Sequence, residues 1–278
     1  MSNKELGSSE REEQTICKEE VKKKKIDILQ IGLLLVGVLC IVIASYSLSG
    51  IFTDYKKGED VYTKIEDEFV VVQPQKDEDE TKELPWYELA DVNVAGLKSQ
   101  YEDVVGWIFF EKEDISYPIM QGKDNDEYLH NAYDGEWVKA GSIFMDYRAN
   151  PDYSDTHTVI YGHNMGNLSM FGRLRFYRNY EGYYDDHMYF QIFTEDEILR
   201  YQIFSYQVVS STDDVYQRED ITAKELSDKL MKTAIDGKYL DIEEEDKIVT
   251  LSTCTNADDK ERLIVNAVLI ERHDINKK

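Results

Sequence analysis

The sequence predicts a mainly β domain of barrel or sandwich type with flanking helices, carried behind one membrane-spanning helix. Three observations predict it. About eight short runs rich in β-branched and aromatic residues crowd the chain between Trp107 and Glu271. An uncharged, mostly apolar stretch long enough to cross a bilayer lies near the N-terminus. A well-capped helical pattern interrupts the strands late in the chain.

Composition bounds the function before any motif is read. The 278 residues include 32 Lys or Arg against 56 Asp or Glu, a net charge of −24. That balance excludes a typical nucleic-acid binder, whose affinity comes from clustered cations displacing counterions. With 42% hydrophobic and 12% aromatic residues the chain can build a core, which excludes global disorder.

From the N-terminus, residues 1–25 read as a small cytoplasmic tail and 26–49 as a membrane anchor. Ile28 to Leu48 carries no charge, and Lys22, Lys23, Lys24 and Lys25 precede it, so the positive-inside rule places that flank in the cytoplasm and the remainder outside. A cleaved signal peptide fits less well, because a polar leader of about 25 residues precedes a run longer than the usual h-region. Residues 50–83 mix charge with few large apolar groups and read as an extracellular stalk, helical before Pro74 and most linker-like at QPQKDEDETKE. The working domain is then 84–278.

Within it, Asn93 is an N-cap candidate for a helix carrying Leu97, Tyr101, Val104 and Val105 on one face. The strand candidates are WIFF, ISYPIM, SIFMDY, THTVIYG, MYFQIFT, LRYQIFSYQVVS, KIVTLSTC and RLIVNAVLIE. Between the last two and the earlier strands, Thr222 and Glu225 form a capping box, Ile221 and Leu226 fit a hydrophobic staple, and Leu226, Leu230 and Ala234 follow the helical period.

Chemistry concentrates at one thiol. Cys17 falls in the tail and Cys40 in the anchor, so Cys254 is alone in the outer domain with no intramolecular disulfide partner. A buried apolar cysteine is the bland alternative. Its surroundings favour a nucleophile: a strand runs into Cys254, a polar turn follows, and Arg262 opens the next strand. If the two strands pair as a hairpin, the guanidinium returns beside the sulfur, where it stabilises a thiolate or an oxyanion. A cysteine nucleophile also needs a proton-transfer partner. Of five histidines, His273 and His187 read as surface residues and His157 as a solvated strand opener. His163 in YGHNMGN leaves a strand end and is preferred by position, with His130 in YLHNAY, placed in a helix behind Asp124, still open as the rival.

These residues resemble the sortases, specifically class B. TLSTC (Thr250 to Cys254) with Arg262 downstream is similar to the sortase cysteine and arginine strands, and YGHN (Tyr161 to Asn164) to its histidine motif. VVGWI, YPIMQGKDNDEYL, GSIFMDY and MFGRL are class B-like, so the resemblance covers the chain from Leu84 onward. It implies a closed eight-stranded barrel with an N-terminal helical extension and a helix inserted before the cysteine strand. It also implies a cysteine transpeptidase that cleaves a sorting signal of NPQTN or (S/P)PxTG type after threonine and transfers the acyl group to a peptidoglycan amine, in a Gram-positive host. By resemblance Cys254 is the nucleophile, His163 the general acid and base, and Arg262 the oxyanion and substrate support, while Asn125, Leu129, Tyr161 and Ser252 line the substrate groove. Thr255 and Asn256 stand where some class B members carry acidic residues, a departure that bears on local hydrogen bonding. No cofactor is implied.

Other readings are weaker. An L,D-transpeptidase would carry Ser-His-Gly-Cys, whereas Leu-Ser-Thr precedes Cys254. DNDEYL opens like a calcium loop, but Tyr128 takes the fifth position and the glycine is missing, so no metal is expected. Arg173, Arg175 and Arg178 form a basic cluster with a sharper reading as a contact for wall-precursor anions and a plainer one as a solvated helix edge. A membrane-tethered adhesion module would leave the lone thiol unexplained. Replacing Cys254 by alanine tells enzyme from adhesin: peptide cleavage vanishes in the first case, and an adhesin loses nothing.

Overall fold

The computed structural model describes residues 28–73, 84–217, 220–255 and 260–276. The tail with Cys17 and its lysines, the linker-like run after Gln73, and Asn256 lie outside the described residues. The first helix, α1, spans Ile28–Phe69, and the chain divides between Ile51 and Phe52 into two compact units. In the first unit the helix is apolar on every side, with Leu33, Leu34, Ile41 and Ile43 all exposed. It is long and apolar enough to cross a membrane.

The second unit opens on the remainder of α1, where the pattern changes. Tyr55, Gly58, Tyr62, Ile65 and Phe69 recur every three or four residues. The last four are buried, while Lys56, Lys57 and Lys64 face outward. The segment expected as a stalk therefore packs into the body as far as Phe69, and the compact unit starts at Phe52 rather than near Leu84. Composition registers the charge of this segment and is blind to its periodicity. Beyond it β1 (Val70–Val72) pairs antiparallel with β2 (Ala90–Val92), Val70 opposite Val92. Helix α2 (Val94–Gln100) starts at Asn93, whose side chain accepts from the Gly96 N–H. It is shorter than expected: Tyr101 is extended, and Val104 and Val105 open the next strand.

That strand, β3 (Val104–Phe110), begins the barrel, followed by β4 (Ser116–Met120), β5 (Ile143–Met145) and β6 (His157–Tyr161). Short helices α3 (Arg175–Asn179) and α4 (Tyr183–Asp186) lead to β7 (Tyr189–Phe193) and the long β8 (Glu197–Ser210). Helix α5 (Ala223–Met231) and the two-residue β9 (Asp236–Gly237) come before β10 (Ile248–Cys254) and β11 (Glu261–Asp274). Neighbours run β11-β10-β6-β5-β4-β3-β7-β8, and β8 pairs back onto β11, closing eight strands. The pairs β10–β6 and β4–β5 are parallel, so the barrel is mixed. Closure gives each of these strands a neighbour on both sides, and β9 adds to β8 at Ser205 and Tyr206. Its interior is filled by Phe110, Ile160, Phe190, Tyr201, Leu251 and Val265, each at most 2% exposed. Each such side chain contributes roughly 1.5–3 kcal/mol of transfer free energy.

Both arms of the capping box on α5 are made, between Thr222 and Glu225. Leu226 and Leu230 pack with Phe204, Ile248, Ile264 and Val268 in a second cluster outside the barrel, with Ile221 against it. Ala234, expected on the same stripe, lies beyond the helix end at Lys232. The arginine cluster also differs from expectation. Arg173 reaches Glu113 at 3.0 Å and Asp114 at 2.9 Å, and Arg175 donates to the carbonyls of Gly172 and Met165, so two of the three guanidiniums are spent inside the fold.

One polar chain runs through four strands. His157 Nε2 lies 2.8 Å from Thr250 Oγ1, Thr250 donates to Asn266, and Asn266 donates to Ser205 and to Gln207. Gln207 in turn reaches the Leu230 carbonyl and Thr233 beyond α5. A one-residue slip of β10 would strand this chain in the interior, so it pins the register. His157 is thus a network member and not the solvated strand opener expected. Burial pushes its imidazole down to about 4, with the charge of Asp146 acting weakly the other way. The unfolded chain, titrating near 6.5, takes the proton first as pH falls. Stability is then complete above about pH 6.5 and is lost toward pH 4. Urea unfolding at pH 7 and 4.5 checks this: His157→Gln should shrink the wild-type decline by roughly 2 kcal/mol, and an unchanged decline would assign it to other groups.

Candidate active site

Strand β10 is seated between β11 and β6, and the site is built at its C-terminal end. On the antiparallel side Cys254 is the register partner of Arg262, the hairpin return anticipated from sequence. On the parallel side Ser252 aligns with Tyr161, and the chain leaving β6 stays bound to the cysteine strand. Gly162 donates its N–H to the Ser252 carbonyl at 3.1 Å, and the Asn164 side chain donates to the Cys254 carbonyl at 2.8 Å. His163 sits between those two anchors. Gly162 is required there, because a Cβ would fall 2.4 Å from Ile143 and 2.7 Å from Phe171.

The His163 ring is oriented by a main-chain group. Its Nε2 lies 2.7 Å from the Leu129 carbonyl, which can only accept, so Nε2 carries a hydrogen. In the neutral ring Nδ1 is then the nitrogen able to take a proton. Burial pushes the His163 pKa below its ordinary value; the Leu129 bond opposes this, and the positive charges of His130 and Arg262 add to it. His130, the rival candidate, occupies an exposed turn and no helix, and stacks on His163 at 5.4 Å with 18° between planes. Burial pushes the Tyr216 hydroxyl up to about 12, with the Ser252 bond and the Arg262 charge acting the other way.

Three of the four groove candidates share one network. Asp146, 4% exposed, accepts a guanidinium fork from Arg148 at 2.8 Å, and bonds from Asn125 and the Tyr161 hydroxyl, each at 3.1 Å. Burial alone would raise its pKa, but the Arg148 fork and the Asn125 amide outweigh it and hold the carboxyl at about 2. Arg148 also donates to the Tyr216 carbonyl at 2.9 Å. The Tyr216 hydroxyl is 2.8 Å from Ser252 Oγ, and its ring stacks on Tyr161 at 6.2 Å. Ser252 is itself 2% exposed, so it meets the groove through Tyr216. Leu129, the fourth, packs its side chain against the core and reaches the site by its carbonyl.

Asp146 and Tyr216 were absent from the sequence-based set. Asp146 lay within GSIFMDY, a stretch noted as a pattern and not for its charge. Tyr216 stands in a single 3-10 turn, Asp214–Tyr216, with no periodic signal around it. A cavity of about 290 Å³ opens behind Tyr216, lined by Arg148, His157, Gln207, Leu226 and Leu230 among others. Cys254 is not part of its lining and stands, half-buried, outside it. Thr255 is buried and donates its hydroxyl toward Glu261, so in this chain the acidic partner comes from β11.

The sortase domain family matches residues 108–270. Sortase B of Listeria monocytogenes is 32% identical over 237 residues, covering 80% of this chain and 92% of that protein. Sortase B of Staphylococcus aureus is 28% identical over 255 residues, covering 90% and 98%. Among solved structures, sortase B from Bacillus anthracis in complex with AAEK1 superposes with a TM-score of 0.65 at 29% identity, over 79% of this chain and 99% of that one. A Staphylococcus aureus sortase B–substrate complex gives 0.59 at 29% identity, over 64% and 84%. With the family match spanning most of the barrel and the relatives aligned along nearly their whole lengths, this chain belongs to the sortase family as a class B member.

Proposed function

We propose that this sortase cleaves a C-terminal sorting signal of NPQTN or (S/P)PxTG type after threonine, and joins the new carboxyl end to a peptidoglycan amine. The general activity, cysteine transpeptidation in cell-wall anchoring, comes with the family. The observation that carries the residue assignment is the end of β10, where Cys254 has Arg262 as its register partner and the loop holding His163 bonded to its own carbonyl.

In this reading the Cys254 thiolate attacks the threonine carbonyl carbon, and the tetrahedral oxyanion develops beside the Arg262 guanidinium. Protonated His163 gives its Nδ1 proton to the departing amine as the C–N bond breaks, leaving a thioester. The acceptor amine then attacks the thioester, neutral His163 takes its proton, and the thiolate leaves as the amide forms. Asn125, Tyr161 and Tyr216, tied through Asp146, form the wall along which the signal lies. One solved relative is described as a substrate complex, which supports a peptide-binding role for a barrel of this class. The apolar part of α1 anchors the enzyme in the cell membrane with its N-terminus cytoplasmic and the barrel outside.

Full-length protein in detergent micelles, incubated with quenched sorting-signal peptides with and without free amine, tests the reading. Cleavage after threonine with an amine-linked product by mass spectrometry is expected, and its absence for every peptide would reject the substrate class. The electrostatics add a pH expectation. Because burial and two positive neighbours hold His163 below its ordinary value, the limb on which its acid form disappears lies below pH 6.5. Removing one of those charges with His130→Gln should move that limb of the cleavage profile to higher pH; an unmoved limb would mean that His130 does not influence the acid.

A further inference from the structure

The Leu129 carbonyl that receives the His163 hydrogen is itself held by a chain of contacts reaching α1. Gly141 lies against it with φ +55, and a Cβ there would sit 2.3 Å from the Leu129 oxygen. No other residue could back this carbonyl so closely. The next residue, Ser142, ties the same segment from both sides of Leu129: its N–H donates to the Tyr128 carbonyl at 3.0 Å and its hydroxyl to the Asn131 carbonyl at 2.8 Å. Onto this pair comes Tyr62 of α1, whose hydroxyl is 2.7 Å from the Gly141 carbonyl and 2.9 Å from Ser142 Oγ. The Tyr62 ring is 5% exposed and packs edge-on against Tyr117 and Tyr133. A phenylalanine would fill the same space with no polar atom to satisfy, so the hydroxyl needs a use of its own.

We propose that the Tyr62 hydroxyl is a positioning group for His163: acting through Gly141 and Ser142, it holds the Leu129 carbonyl where that carbonyl keeps the hydrogen on Nε2 and leaves Nδ1 to exchange protons with substrate. Part of α1 thereby belongs to the reaction apparatus, although it touches neither thiol nor imidazole. A second contact of the same helix agrees. The Tyr55 hydroxyl rests so near Gly166, three residues past the histidine, that a Cβ there would fall 2.7 Å from it. The proposal rests on His163 being the acid and base of the reaction.

The test is Tyr62→Phe in the full-length protein in micelles, with Ser142→Ala as an independent break in the same chain. A loosened carbonyl leaves His163 misaligned, so kcat for cleavage should fall about tenfold with KM unchanged and the melting temperature close to wild type. The Leu129 bond favours the protonated ring, so weakening it should also shift the His163 limb to lower pH, while His130 and Arg262, the charged groups facing the ring, are untouched. The same shift should appear in the pH dependence of Cys254 alkylation by iodoacetamide, followed by mass spectrometry on the peptide holding that cysteine. Wild-type kcat and an unmoved pH profile in Tyr62→Phe would overturn the proposal. So would a loss of activity that merely tracks the melting temperature. Should Tyr62→Phe fail to fold, Ser142→Ala carries the same comparison. If the wild type cleaves no peptide, the substrate reading has failed, and alkylation still reads His163 on its own.

Discussion

Strand β10 is hydrogen-bonded along both edges, antiparallel to β11 and parallel to β6, and the site depends on that double pairing. A side chain at the end of an edge strand is free to wander with the fraying backbone. Cys254 is held differently: the β11 register sets Arg262 beside it, and the loop leaving β6 bonds its carbonyl through Asn164. The chain from His157 through Thr250 and Asn266 to Gln207 locks that register on the face toward α5, because a slipped strand would leave several buried polar groups without partners.

Around this seat the molecule separates rigid charge from reactive charge. Asp146 and Arg148 are spent on each other and on Asn125, Tyr161 and Tyr216, a closed network whose carboxylate stays ionised under any ordinary condition. His163, by contrast, is half-buried, held by one main-chain bond, and shifted toward the neutral form by burial and by positive neighbours. In the proposed reaction His163 alternates between acid and base, and such a balance serves that role. A fully paired ion would resist changing its protonation state.

The helical extension changes character along its length. As far as Ile51 its side chains are apolar on all sides; from Phe52 onward only the stripe of Gly58, Tyr62, Ile65 and Phe69 is buried, and lysines face water. Read as composition, the second part looks like a charged stalk. Read by spacing, it is an amphipathic helix that joins the core, and its tyrosine hydroxyls stand against Gly166, just past the histidine, and against Gly141 and Ser142, which back its carbonyl partner.

The strands were legible because all eight runs alternate or cluster β-branched and aromatic residues over lengths typical of strands, and the α5 cap was legible because Thr222, Glu225, Ile221 and Leu226 act within a single turn. Cys254, Arg262 and His163 were marked by local context and by resemblance, and Asn93 by the helix it opens. Other features depend on partners remote in sequence: Tyr216 over Ser252, Asp146 gathering Asn125 and Tyr161, His157 bonded to Thr250, and Leu129 contributing a carbonyl instead of a side chain. By itself the sequence determined which segments become strands and helices and which residue types are available for chemistry, since those follow from short-range sterics and hydrophobic period. Which hydroxyl, carbonyl or charge meets which was decided by the tertiary fold, because only it brings Tyr62 onto Gly141 and the Leu129 carbonyl onto His163, partners far apart along the chain.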